Sequence, residues 1–181
     1  MVDVTPKEPT HRRAVARCKV FMLPETTSKV ASNAMAKGDV LGAARIAGIQ
    51  ASKRTSDLIP LCHPLLVGAV NINFTIGDDS VEIESSVETV DRTGVEMEAL
   101  MACSVAALTI YDMCKSTDRS MVIGELALWE KIGGRSGVWR RGDGHFSLAS
   151  GTTGFDNGAS APGDAELAAI DAVLEEGPLG G

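Results

Sequence analysis

Aromatic residues are scarce in this chain: two tryptophans, one tyrosine and four phenylalanines make up 4% of 181 residues, so its core is expected to be aliphatic and built from small side chains. Cysteine occurs four times, as Cys18, Cys62, Cys103 and Cys114, with no C-x-x-C pair and each within an apolar segment. That pattern excludes a short disulfide-rich scaffold and reads as reduced thiols in the cytoplasm. Basic residues are not in excess either. A net charge of −7 argues against general nucleic-acid binding. No uncharged apolar run reaches about 18 residues, so no membrane span is expected. No apolar stretch follows a basic start, so no signal peptide is expected. The expectation is a soluble, cytoplasmic protein that engages neither nucleic acid nor membrane.

What is present is enough apolar material for one domain, 44% of the chain, with an appendage. The charge is uneven. From Gly137 onward stand two basic and seven acidic residues, net −5, whereas residues 1–136 carry 15 basic and 17 acidic groups, net −2. A nearly neutral body can hold a local basic pocket. Residues 151–164, "GTTGFDNGASAPGD", read as a linker, and "AELAAIDAVLEE" is too short for an independent helix. Residues 138–181 are therefore expected to be a Gly-rich, acidic, flexible tail with no assigned function.

The body divides by periodicity. "RAVARCKVFML" alternates, with Ala14, Ala16, Cys18, Val20 and Met22 on one face and Arg13, Arg17 and Lys19 on the other, which predicts a strand. "PETTSKVASNAMA" predicts a short helix closed by Lys37-Gly38, and Asp39 is the candidate N-cap of a second helix whose shared face is Val40, Ala44, Ala47 and Ala51. Val70, Ile72, Phe74 and Ile76, then Gly77-Asp78-Asp79-Ser80, then Val81, Ile83 and Val87 predict a β-hairpin. "GVEMEALMACSVAALTIYDMCK" predicts the longest helix, with Leu100, Cys103, Ala107, Ile110 and Cys114 inward, and "MVIGELALWEK" a last strand. The order β-α-β-β-α-β plus an extra helix predicts an α+β, ferredoxin-like sheet with its helices on one face.

Within "LIPLCHPLLVGAV", Cys62 and His63 stand between Pro60 and Pro64. Buried free cysteine is common and a lone histidine is usually a satisfied polar group. A zinc site needs further ligands, and His11 and His145 lie near the chain ends with no grouping spacing. Prolines on both sides nevertheless stiffen the backbone, and an aimed imidazole suits general acid/base work. Core, metal and substrate contact all stay open on these residues alone. On the long helix, Asp112 and Lys115 are three apart, a pairing that is also an ordinary surface ion pair. Glu96 and Glu98 suit the first turn for dipole reasons alone. Glu98 and Asp112 share an angle but lie about 21 Å apart along the axis, so both can serve a small ligand only if the site is long or neighbouring subunits complete it. Lys37, Lys53, Arg54 and Lys115 could hold a polyphosphate, although a solvated loop and a helix C-terminus account for the first three equally well. Two other readings compete with an enzyme: a non-catalytic anion-binding module, and a thiol or metal protein built on Cys62 and His63.

Taken together, "MVDV", "KGDVLGAARIAGIQASKRTSDLIPLCHPL", "TGVEMEALMACSVAALTIYDMCKS", "MVIG" and "GGRSG" closely resemble the MoaC family of molybdenum-cofactor biosynthesis, over about residues 1–137. The resemblance implies a lyase that converts 3',8-cyclo-7,8-dihydroguanosine 5'-triphosphate to cyclic pyranopterin monophosphate and releases pyrophosphate. A separate radical enzyme makes that substrate from GTP. No cofactor is required, and Mg²⁺ is a possible companion of the triphosphate. The resemblance places Asp112, Lys115 and Lys37 among catalytic residues. It places Leu61, Cys62, His63, Met97, Glu98, Lys53, Arg12 and Asp3 against the substrate, with no metal ligands. Lys37, Lys53 and Arg12 would grip the triphosphate, Asp112 and Lys115 would move protons, and His63 would hydrogen-bond or protonate the substrate. It also implies a homohexamer, a trimer of dimers with sites between subunits. Family members usually carry further residues ahead of "MVDV".

Overall fold

The computed structural model describes residues 1–134 and 136–142, all within one unit, Met1–Phe146. The expected linker, the segment "AELAAIDAVLEE" and His145 lie outside the described residues. Nine elements follow in order: β1 (Thr10–Phe21), α1 (Pro24–Ala31), α2 (Val40–Ser52), α3 (Thr55–Leu58), β2 (Ala69–Ile76), β3 (Ser80–Asp91), α4 (Glu96–Cys114), β4 (Val122–Ile132) and β5 (Trp139–Arg140). The strands form one antiparallel sheet in the order β2-β3-β1-β4-β5, with the expected hairpin between β2 and β3. This is the ferredoxin-like arrangement: two split β-α-β units interleave so that the first strand sits between the third and the fourth.

The alternation in β1 decides which face is covered. Ala14, Ala16, Cys18, Val20 and Met22 are all buried, and α4 lies across them. The residues α4 turns inward are small: Ala99, Ala102, Cys103, Ala106 and Ala107, with Ile110 and Cys114. Small side chains on both surfaces let the helix backbone come close enough for polar stitching. Ser85 Oγ donates to Ala99 O at 2.7 Å, and the Cys18 and Cys103 thiols lie 3.2 Å apart, reaching Cys103 O and Ile83 O. Each such bond contributes about 1 kcal/mol, and losing one partner would leave a buried group unsatisfied.

Asp39 caps α2, its carboxylate accepting from Gly42 N at 2.8 Å. The buried face of α2 is Val40, Ala44, Gly48 and Ala51, so Gly48 takes the place expected for Ala47. A Cβ on Gly48 would meet Ile72 Cδ1 and stand 2.7 Å from Ala102 O, which is why a glycine occupies this crossing. α1 is shorter than expected and stops at Ala31, because Asn33 turns left-handed at φ 54, a conformation asparagine tolerates. Two short elements, α3 and β5, go beyond the expected set. β5 pairs with β4 through Glu130–Arg140 and Lys131–Trp139, so the sheet continues past Gly137, where the tail was expected to start.

The opposite face of the sheet carries a charge ladder. Cross-strand partners Arg13–Glu88, Arg17–Glu84 and Lys19–Glu82 form ion pairs at 3.3, 2.6 and 2.9 Å. Pairs this exposed contribute little to stability but fix strand register.

Candidate active site

The candidate residues gather at the two ends of α4. At its N-terminal end, the irregular segment between α3 and β2 brings Leu61, Cys62 and His63 over the first turn. With Thr93, Gly94, Glu96, Met97 and Glu98 they line a cavity of about 160 Å³. Cys62 and His63 are half-buried at this mouth, whereas the other three cysteines are fully buried, so the former pair lines the cavity and stands outside the core. Burial pushes the Glu98 carboxyl above its ordinary range, outweighing its own backbone N–H. Burial, followed by the charge of Glu98, also pushes the Cys62 thiol up, which makes it a poor nucleophile. Asp3 accepts from Thr5 N at 2.8 Å, which holds its carboxyl low, and it lies within electrostatic reach of His63. Among the described residues, no three His, Cys, Asp or Glu side chains are arranged to hold a metal ion. The thiol or metal reading thus loses its third ligand there.

A larger cavity of about 770 Å³ shares Thr93, Gly94 and Glu96 with the first. Its size lies within the range of small-molecule sites, roughly 300–1,000 Å³. Lys7, Arg12, Arg13, Arg92 and Lys131 line it, against two acids among the described residues, Glu8 and Glu96. Arg13 is committed to Glu88 and Glu130. Arg12 is not: it is 8% exposed, and its guanidinium donates to Asp91 O at 3.2 Å and Arg92 O at 3.4 Å. No carboxylate among the described residues lies within ion-pair distance of it, or of Lys7, Arg92 or Lys131. Lys131 instead donates to Ser136 Oγ. A buried guanidinium solvated only by neutral carbonyls keeps its charge for an anion. Lys7, Arg92, Glu96 and Lys131 were not singled out for this site from the sequence. Lys7 stands four residues after Asp3, and Lys131 directly precedes the "IGGRSG" segment, yet only the antiparallel register of β1 and β4, Arg13 against Ile132, brings those segments together.

At the C-terminal end of α4, Asp112 is bracketed by two ammonium groups. Lys37 Nζ lies 2.7 Å from Oδ2 and 3.0 Å from the Asp112 carbonyl, and Lys115 Nζ lies 2.7 Å from Oδ1. Hydrogen bonds from Lys115 and then Lys37 pull the Asp112 carboxyl down to about 2. At neutral pH it is therefore an ionised acceptor that orients two proton-bearing amines, and it has no proton of its own to give. Lys37 stands in the α1–α2 loop, two residues before the Asp39 cap of α2.

α2 runs antiparallel to α4, since Lys37 meets Asp112 while Gly48 meets Ala102 and Ala106. The exposed Lys53 at the end of α2 accordingly lies toward the end of α4 that carries Glu98. Asp3, Arg12, Lys53, Leu61, Cys62, His63, Met97 and Glu98 thus fall toward one end, and Lys37, Asp112 and Lys115 at the other, about 21 Å away. One chain does not wrap both groups around a small ligand.

The model of the MoaC family matches residues 1–134. A protein of Thermomicrobium roseum named cyclic pyranopterin monophosphate synthase is 58% identical over 145 residues, 79% of this chain and 87% of that protein. One of the same name from a Roseiflexus species is 60% identical over 139 residues, 76% and 88% of the two chains. Cyclic pyranopterin monophosphate synthase 1 of Mycobacterium tuberculosis is 58% identical over 142 residues, 78% and 84%. With a family match across residues 1–134 and identities at this level over most of both partners, the chain belongs to the MoaC family.

Proposed function

We propose that the protein is a cyclic pyranopterin monophosphate synthase: a lyase that takes 3',8-cyclo-7,8-dihydroguanosine 5'-triphosphate to cyclic pyranopterin monophosphate and pyrophosphate. The observation that carries the reading is the junction of two cavities, one lined by Lys7, Arg12, Arg92 and Lys131, which have no carboxylate partner among the described residues, and one lined by His63, Cys62 and Glu98. A triphosphate fits the first by charge and a purine-derived ring system the second by size and polarity. In this reading Arg12, with Lys7, Lys131 and Lys53, holds the phosphates. The purine's five-membered ring opens, a pyrazine ring closes onto the sugar carbons, and the sugar oxygen displaces pyrophosphate to form the cyclic phosphate. These steps need proton transfers and charge stabilisation at phosphate, with no change of oxidation state. Glu98, held toward its neutral form by burial, is suited to give a proton, and His63 to hydrogen-bond the ring system. Lys37 and Lys115, oriented by ionised Asp112, act as the proton-bearing amines.

Because the amines and His63 stand at opposite ends of α4, the working site is assembled from more than one subunit. A homohexamer built as a trimer of dimers meets that need. Support comes from Leu58, Leu61 and Leu66, which are 61%, 71% and 89% exposed around the His63 segment and call for a cover. Mg²⁺ would arrive as the companion of the triphosphate. Glu8 and Glu96 among several cations do not make a resident magnesium site, and no step is routed through one. The buried thiols suit a reducing compartment, the cytoplasm, where a radical enzyme would supply the substrate.

The test is direct. Purified protein is incubated with the cyclic dihydro-GTP intermediate, and pyrophosphate and pterin are followed by chromatography. Wild type should turn over, and Asp112→Asn and Lys115→Ala should each lower kcat by about 10²- to 10⁴-fold, the scale of general acid/base groups. Absence of turnover by a folded wild-type oligomer would leave an anion-binding module as the better description.

A further inference from the structure

We propose that Gly133 and Gly134 are positioning residues for Arg12: the bare backbone after β4 is the wall that holds its guanidinium flat against the Asp91 and Arg92 carbonyls and turned toward the phosphate cavity. The inference rests on the synthase reading and adds to it a reason for the glycine pair in "GGRSG".

Arg12 is 8% exposed and its charge is met by main-chain oxygens alone among the described residues, so its orientation depends on what packs beside it. Gly133 and Gly134, at φ 100 and 75, follow directly on Ile132, the residue paired with Arg13. A Cβ on Gly134 would land on Arg12 Nη1. One on Gly133 would land on the His11 carbonyl oxygen and stand 3.0 Å from Arg12 Cδ. The two glycines therefore do more than permit a left-handed turn. A Cβ at 134 would displace Arg12 Nη1 from the position in which the guanidinium meets the Asp91 and Arg92 carbonyls.

Gly137 supplies the internal control. Its φ is also left-handed, at 61, and it belongs to the same turn through Gly133 N–H to Gly137 O and Gly137 N–H to Gly134 O, both 3.1 Å. Yet a Cβ placed on it would meet nothing within 4 Å among the described residues. Alanine at 137 carries the backbone strain without the collision.

The experiment compares Gly134→Ala, Gly137→Ala, Arg12→Ala and the double variant Arg12→Ala/Gly134→Ala in the full chain. Affinity for inorganic tripolyphosphate is read by titration calorimetry, KM and kcat with the cyclic dihydro-GTP substrate, and Tm alongside. Gly134→Ala should weaken tripolyphosphate binding and raise KM by about tenfold or more, the scale of one charge-assisted hydrogen bond. Gly137→Ala should match it in Tm loss while binding within about twofold of wild type. The double variant should be no weaker than Arg12→Ala, because the glycine acts through the arginine. Should Gly134→Ala fail to fold, removal of Arg12 in the double variant should restore folding to the level of Gly137→Ala. Equal binding losses in the Gly134→Ala and Gly137→Ala variants, or additive losses in the double variant, overturn the inference. A wild type that binds tripolyphosphate without turnover would sink the synthase reading and leave the binding arm to decide the role of the glycines.

Discussion

Asp112 and Glu98 are carboxylates on one helix with opposite electrostatics, and the difference lies in what surrounds each. Asp112 is exposed between two ammonium groups and is pulled to about 2, whereas Glu98 is 4% exposed and pushed upward by burial. A carboxyl whose folded pKa is raised stabilises the fold below its unfolded value, and that contribution is lost as pH rises through the folded value. Glutamine does not titrate. Glu98→Gln should therefore show a higher Tm than wild type at neutral and alkaline pH, with the gap closing as pH falls from the raised folded value toward about 4.3 and gone below it. Thermal scans across that range check it, and a gap that widens on acidification would refute the assignment of Glu98 as a carboxyl strained by burial. The Asp112–Lys115 pair was readable from a three-residue spacing. Lys37 as the second partner was not, because a loop lysine 75 residues upstream reaches Asp112 only through the packing of α2 on α4.

Among the elements, β1, the β2–β3 hairpin and α4 were legible because their periodicity is long and their buried faces are continuous. α2 was legible as a helix, but its inward face was displaced to Gly48. A hydrophobic pattern scores side chains, while this crossing is set by the lack of one. Replacing Gly48 tests the point. Alanine gains up to about 1 kcal/mol of helix propensity. Its Cβ would sit against Ile72 and 2.7 Å from a main-chain oxygen of α4, an atom that cannot swing aside. Overpacking of about 1–3 kcal/mol should win, so Gly48→Ala should lower the denaturant midpoint with m unchanged. A neutral or stabilised variant would mean that α2 slides freely on α4. α3 and β5 escaped prediction because two- and four-residue elements carry too little pattern to stand out from loops.

At the scale of the whole molecule, the 19-residue α4 works as a ruler that keeps the His63 end and the Asp112 end apart. If sites form between subunits, two variants that are each inactive should complement. His63→Ala and Lys115→Ala, unfolded separately and refolded together, should recover roughly a quarter of the wild-type sites if one residue of each site comes from each subunit, since random mixing leaves that share with both residues intact. Activity no greater than that of either variant alone would place both residues of each site on one chain.

The sequence by itself determined the periods, caps and charges: which face of β1 enters the core, that Asp39 opens α2, and that Asp112 and Lys115 share a helix face. These are properties of neighbours within a turn or a strand repeat, so local geometry is enough to establish them. The tertiary structure alone decided that Lys37 closes on Asp112, that Gly48 marks the helix crossing, and that Lys7, Arg12, Arg92 and Lys131 converge on one cavity beside His63. Each of these depends on contacts between segments far apart in the chain, which strand order and helix packing create and no local pattern encodes.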